Sequence, residues 1–381
     1  MKTQMNRPQK NTGKRAISSL LVLAALGSQP AYALDNIIRP YLSARSAAMG
    51  GVKTTTGIYD ENFYGNPARV TQNDKWKLSI FDFTAETSPS TIDTASDLAG
   101  SDSDVLAKIG DSAGKNNHVR IQTAFPALYI PRIAGSRWSY GFAVLSNSQA
   151  DVSLRNNYSV DPQAIVDVGP AFNVGYQFLE NRTLSVGITP HVTYRVASRS
   201  NYSMVDLVKG VSLSPSKSGG DGTHLDVDAG VFYEIPWKPM GIKLNPAFSI
   251  NNLLGGKYSN IAFHPVDNGN RPRAQPRSFN LGISGTKDDF LIFDHILGAF
   301  EINDIGNNPN GSIYRLLHLG TELPYGVFKI RLGLNQGYAG GGIGLALSWF
   351  QLDLSTYGEE MSLNTGQYQE RRYALHLGFG L

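Results

Sequence analysis

The sequence predicts an all-β fold: a transmembrane, antiparallel, up-and-down β-barrel of about fourteen strands with an N-terminal hatch plugging its lumen. Three observations predict it. Apolar and small or polar residues alternate with period two along most of the chain, long and short connections alternate between the strands, and an export leader precedes a chain without cysteine.

The leader comes first. Lys2, Arg7, Lys10, Lys14 and Arg15 form a basic opening, residues 16–26 are an apolar run too short to span a bilayer, and Ala31-Tyr32-Ala33 supplies an A-x-A site. Residues 1–33 therefore read as a signal peptide cleaved after Ala33. Of 34 basic residues five lie in this leader, which leaves 29 against 31 acids, a net charge of −2. The pI near 8.8 belongs to the uncleaved chain, and nucleic acid is not an expected partner.

Composition narrows the class. With no cysteine in 381 residues, disulfide frameworks and thiolate metal sites are excluded. Charged residues make up 17%, below the roughly 25% usual for soluble domains. The 40 glycines exceed the usual ~7%. A mean hydropathy of −0.21, without an apolar run of about 20 residues after the leader, excludes a helical membrane protein.

Strand by strand, alternation places one residue set on lipid and the other on the lumen, because successive side chains point to opposite faces. It is clearest at the C-terminus, where Tyr373, Leu375, Leu377, Phe379 and Leu381 face outward and read as the closing strand and assembly signal. The same register points Glu322, Lys329, Arg331, Asp353 and His376 inward, and Asp226, Asp228 and Glu234 elsewhere in the chain. In the segment from Leu225 to Glu234 only Phe232 breaks the pattern. Strands are expected to begin near Trp76, Val119, Trp138, Val168, Leu184, Leu225, Ile242, Phe279, Ile296, Leu317, Phe328, Ile343, Phe350 and Tyr373.

Long polar connections are expected at 86–118, 150–165, 198–222, 253–275, 304–312 and 359–371. Short turns are expected at 131–137, 180–182, 236–239, 287–289, 324–326 and 348–349, with a small loop at 336–340. That sorting suits a barrel with both chain ends on the short-turn side. Pro126, Pro170, Pro190 and Pro246 interrupt strands and mark either local bulges or a gap in the wall.

Residues 34–75 do not alternate and are well placed to plug the lumen, leaving 76–381 as the barrel. Their features are a small-residue stretch, Ser43-Ala-Arg-Ser-Ala-Ala-Met-Gly-Gly51, and Asn66-Pro67-Ala68 just before the first strand. These residues resemble the hatch of the long-chain fatty-acid transporter (FadL) superfamily. That group includes toluene-type hydrocarbon porins, conjugation-associated TraF-like proteins and PorV-type secretion components. The resemblance implies that Asn66, Pro67 and Ala68 occupy the hatch-motif positions, and that hatch movement admits a hydrophobic compound passively. The "ARSAAMGG" wording and the glycine-rich C-terminal half look closer to the TraF-like and PorV-like branches, which implies instead a docking component of a secretion or conjugation system. A transporter requires an apolar pocket reaching the hatch; a docking component tolerates a filled lumen.

No catalytic residue, cofactor or metal is expected. The seven histidines show no HExxH pair, and neither a G-x-S-x-G elbow nor a P-loop occurs. The expected partners are outer-membrane lipid, the barrel-assembly machinery, and either a hydrophobic small molecule or secretion or conjugation components.

Overall fold

The structure, a computed structural model, describes residues 40–99, 114–133, 135–154, 159–179, 181–200, 202–203, 219–259, 270–307, 312–361 and 365–381. The expected leader and residues 34–39 lie outside them.

Among the described residues fourteen long strands form one closed antiparallel barrel. They are β1 (Lys77–Thr87), β2 (Asn116–Ile130), β3 (Trp138–Leu154), β4 (Ser159–Phe178), β5 (Leu184–Arg199), β6 (Gly219–Tyr233) and β7 (Lys243–Asn251). The second half comprises β8 (Ser278–Phe290), β9 (Phe293–Ile305), β10 (Leu317–Tyr325), β11 (Phe328–Asn335), β12 (Tyr338–Ala346), β13 (Phe350–Glu360) and β14 (Gln369–Gly380). Tyr202–Ser203 is a two-residue extension beside β4. Each strand pairs with its sequence neighbours, and β1 closes the wall against β14, with Phe83 beside Leu377 and Thr84 beside His376. Closure gives every strand a neighbour on both sides, as the bilayer interior demands of a spanning sheet; β6 and β7 share only four residue pairs, and the segment after β7 hydrogen-bonds to Thr223 and Val227 on the rest of β6.

The expected register holds. On β11, Phe328, Ile330, Leu332 and Leu334 are 59, 43, 55 and 46% exposed while Arg331 between them is 1% exposed. All four tryptophans sit at the short-turn end: Trp76 before β1, Trp138 opening β3, Trp237 between β6 and β7, and Trp349 between β12 and β13. Each is exposed, as a ring of amphipathic side chains at a membrane interface would be.

Two connections differ from expectation. The long loop at 150–165 is mostly wall, because β3 runs to Leu154 and β4 starts at Ser159. Its polar residue Asp161 is a buried inward-facing side chain, so lumen polarity imitated a loop. The turn placed at 287–289 lies instead at Leu291–Ile292, since Lys287 and Asp288 still pair with Ile296 and His295. There the exposed Lys243–Asp288 ion pair (2.6 Å) gives the strand ends a polar rim.

The prolines act unequally. The β2–β3 register shifts between Ala124 and Ala127, around Pro126. Strands β4 and β5 pair at Val168–Tyr194, next at Ala171–His191 and next at Val174–Ile188. Pro170 and Pro190, lacking N–H groups, lie in this seam of missing pairs, where the strands stay in backbone contact: a Cβ on Gly169 would stand 1.7 Å from Val192 O.

Candidate functional site

Residues 40–74 occupy the lumen as two docked pieces. In the first, Ser43 caps a short helix, Ala44–Ala48, by accepting from Ser46 N at 2.9 Å. Gly50 and Gly51 then take positive φ of 70° and 87°, which turns the chain. The small residues let this turn meet the wall backbone: a Cβ on Gly50 would stand 2.5 Å from the carbonyl oxygens of Leu319 and Leu334. The wall answers with glycines of its own. A Cβ on Gly320 would stand 2.2 Å from Met49 O, one on Gly333 2.2 Å from Gly50 N, and one on Gly342 2.8 Å from Ala48 Cβ. The "AAMGG" stretch and the glycine-rich strands β11 and β12 are thus two halves of one contact. His318 Nδ1 lies 2.7 Å from Gly50 O and completes it.

The second piece docks on β4 to β7. Asn66 caps a 3-10 helix, Pro67–Gln72, accepting from Ala68 N at 3.0 Å, while its amide donates to Thr54 O (3.0 Å) and to the wall carbonyl of Val231 (3.1 Å). Pro67 suits the first helical position, where no N–H is needed. Gly187 and Gly230 again give room: added Cβ atoms would stand 2.4 Å from Pro67 C and 1.9 Å from Asn66 Oδ1. Ala68 packs on Phe232 and Ala247, and the Arg69 guanidinium lies 4.5 Å from the Phe232 ring centroid. Phe232 therefore breaks the alternation because it faces inward onto the hatch.

Between the docked pieces runs a chain of buried ion pairs. Arg45 meets Glu61 at 2.9 Å and Glu322 at 3.0 Å; Arg331 meets Glu322 at 2.6 Å and Asp353 at 2.5 Å. His376 stands 3.3 Å from Asp353 and 3.4 Å from Asp82. Of the sequence-selected inward residues, Glu322, Arg331, Asp353 and His376 meet in this chain. Lys329 points the same way but makes no ion pair among the described residues. Asp226 and Asp228 serve elsewhere: they accept from the backbone N–H groups of Leu254, Gly256 and Asn252, holding the segment after β7 against β6. Tyr373, Leu375, Leu377, Phe379 and Leu381 line the outer face at β14, and Leu381 exchanges two 2.9 Å hydrogen bonds with Leu78.

Sequence reasoning missed Glu301. Fully buried on β9, it accepts from Lys53 N (3.0 Å), Thr54 N (3.1 Å), Thr55 N (2.8 Å) and Thr55 Oγ1 (2.8 Å). Three consecutive N–H groups aimed at one carboxylate form an anion-holding nest, here clamping hatch to wall. Its place between outward Phe300 and Ile302 is the signal that marks it inward.

Beside the hatch, on β2 to β4, lies an apolar patch of Phe63, Ala124, Ala127, Tyr129, Ala143, Leu145 and Ala171, with Tyr41, Tyr59 and Tyr64 packed against it. A cavity of about 80 Å³ opens between this patch and the inner face of β5. Its lining includes Tyr41, Phe63, Tyr64, Leu145, Pro170 and Ala171 on one side, and His191, Arg195, Asp228 and Tyr258 on the other. It therefore touches the seam between β4 and β5. Burial pushes the Tyr41 and Tyr64 hydroxyls well up, so both stay protonated donors. Asp60, at the foot of the Glu61–Tyr64 helix, is raised to about 7, by burial first and then by the Asp82 and Glu61 carboxylates.

One group has metal-ligand spacing. His118, Asp151 and Glu370 offer atoms within 4.8 Å of one another at the outer end of the lumen. Their lone pairs are already engaged: His118 lies 2.6 Å from Asp151 and 2.8 Å from Glu86, and Glu370 accepts from Asn116 at 2.6 Å and pairs with Arg372 at 2.5 Å. The cluster is a saturated ion-pair network.

No protein-family model matches the sequence, and no curated protein does. Solved structures do match. A deltaS2 mutant of the TodX monoaromatic hydrocarbon channel aligns over 90% of this chain and 98% of its own, with a TM-score of 0.50 and 10% identity. The Ralstonia pickettii toluene transporter TbuX aligns over 89% and 97%, with a TM-score of 0.50 and 11% identity. At such identities the likeness is one of fold. The chain is accordingly a fourteen-stranded closed barrel with an N-terminal segment before the wall, sharing the fold of these two channels.

Proposed function

We propose that this chain is an outer-membrane channel for small hydrophobic compounds, passive, without cofactor, and closed by its hatch in the state described. One observation carries the proposal: an aromatic-sided cavity lies between hatch and wall where prolines interrupt the β4–β5 ladder. A greasy solute held there has a short path through the seam to lipid. The cavity's 80 Å³ is small. A dry cavity that holds benzene has about 150 Å³, so admission requires the hatch to shift. The shared fold with a monoaromatic hydrocarbon channel and a toluene transporter supports this reading.

The density of hatch contacts favours a second reading, a permanently plugged barrel that docks secretion or conjugation components. Uptake separates the two. Radiolabelled toluene is offered to intact cells of an outer-membrane host lacking its own hydrocarbon channel, with and without this protein. Faster uptake with the protein supports the channel, and loss of that gain in an Ala171→Trp variant assigns it to the cavity. Equal uptake at equal barrel content contradicts it.

A further inference from the structure

We infer that the cavity between hatch and β5 selects a small aromatic molecule bearing one neutral hydrogen-bonding group, a phenol in preference to a bare hydrocarbon; this rests on the channel reading above. The cavity has two unlike sides. Phe63, Leu145 and Ala171 are suited to a ring and offer it no polar partner. Opposite them, the His191 imidazole makes no hydrogen bond among the described residues, and its Nε2 stops 3.6 Å from Asp228 Oδ1. The Tyr41 ring stacks on Tyr64 at 5.6 Å, and its hydroxyl likewise has no hydrogen-bond partner among the described residues. A hydrocarbon drives out the water that these groups can use and leaves both unpaired, whereas a hydroxyl can accept from one or donate to the other.

The charges around the cavity are committed, which argues against an anionic ligand. Arg195 is held by both oxygens of Asp167 at 2.6 Å and by Gln275 at 3.0 Å. Lys53 stands 5.5 Å over the Tyr64 ring centroid. A carboxylate would have to break one of these arrangements before finding a counter-charge. Size points the same way: 80 Å³ must roughly double to hold one ring, and a long acyl chain would need far more.

The test uses para-cresol and para-xylene, which differ by a hydroxyl in place of a methyl. Both are titrated onto the purified full chain in detergent by saturation-transfer NMR, with empty micelles subtracted. Cresol should bind about tenfold more tightly than xylene, the worth of one buried hydrogen bond. His191→Phe and Tyr41→Phe, each checked for the heat-modifiable gel mobility of a folded barrel, should bring the ratio towards one while sparing xylene. Xylene binding as tightly as cresol to the wild type would overturn the inference, as would a cresol preference that survives both variants. If neither compound binds while toluene uptake persists, this inference falls and the channel stands; if uptake is also absent, both fall.

Discussion

Arg45 of the hatch and Glu322 of β10, 277 residues apart in sequence, join through two hydrogen bonds: Nε to Oε2 at 3.0 Å and Nη2 to Oε1 at 3.1 Å. Arg45 also donates to Glu61 at 2.9 Å, so one guanidinium ties hatch to hatch and hatch to wall. Replacing it with alanine leaves two buried carboxylates short of a partner. Losing one member of a buried pair costs about 3–5 kcal/mol. Arg45→Ala should undock the hatch while the barrel still folds. Trypsin should cut within the hatch much faster than in the wild type, and planar-bilayer conductance should rise; unchanged proteolysis and conductance would count against the ion pair as the fastening.

Wall glycines make a steric prediction. Gly333→Ala places a methyl 2.2 Å from Gly50 N, and backbone on both sides leaves little relief. Overpacking of this kind costs about 1–3 kcal/mol. Gly298→Ala has nothing within 4 Å and should be silent. Hydrogen exchange over residues 43–52 should quicken in the first variant only.

Asp60 sets a pH dependence. Its carboxyl is raised from 3.8 to about 7 in the docked hatch by burial and by Asp82 and Glu61. The docked state thus binds the proton more tightly than an undocked one, and its stability from this group is full below about pH 4 and lost as pH rises through 7. Hatch proteolysis should accelerate between pH 5 and 8, and Asp60→Asn should flatten that rise. A wild-type hatch that loosens towards acid instead would reverse the sign.

Lipid contact of the closing strand is testable at Leu377, which faces outward between Phe83 and Leu352. Leu377→Arg should cost about 2–4 kcal/mol if the position lies near mid-membrane. A lower yield of heat-modifiable barrel checks this, with His376→Arg as the inward comparison on the same strand.

Much of the wall was legible because lipid demands apolar residues at every second position, so Ile330 and Leu332 declare the side of Arg331 between them. Polar inner faces were harder to read. Asp161 faces the lumen, and without a second apolar layer the ends of β3 and β4 resembled a loop. The hatch motif was visible as small residues and Asn-Pro-Ala, but its counterparts were not: Gly320 and Gly333, Phe232 and Glu301 gain meaning only when distant segments meet. The cavity depends on such meetings too, between Tyr41 and a seam more than 120 residues away.

On the proposed channel reading, the hatch must yield for a compound to pass. The chain has no cysteine, so one engineered pair can pin it without competition. Thr71 Oγ1 of the hatch and Ser185 Oγ of β5 lie 2.7 Å apart, so sulfurs in their place reach disulfide spacing with a small shift. Toluene uptake is measured in cells carrying the Thr71→Cys, Ser185→Cys double variant, oxidised and then reduced. The expected result is uptake at background when oxidised and restored on reduction. Uptake by the oxidised protein at the wild-type rate would contradict the account.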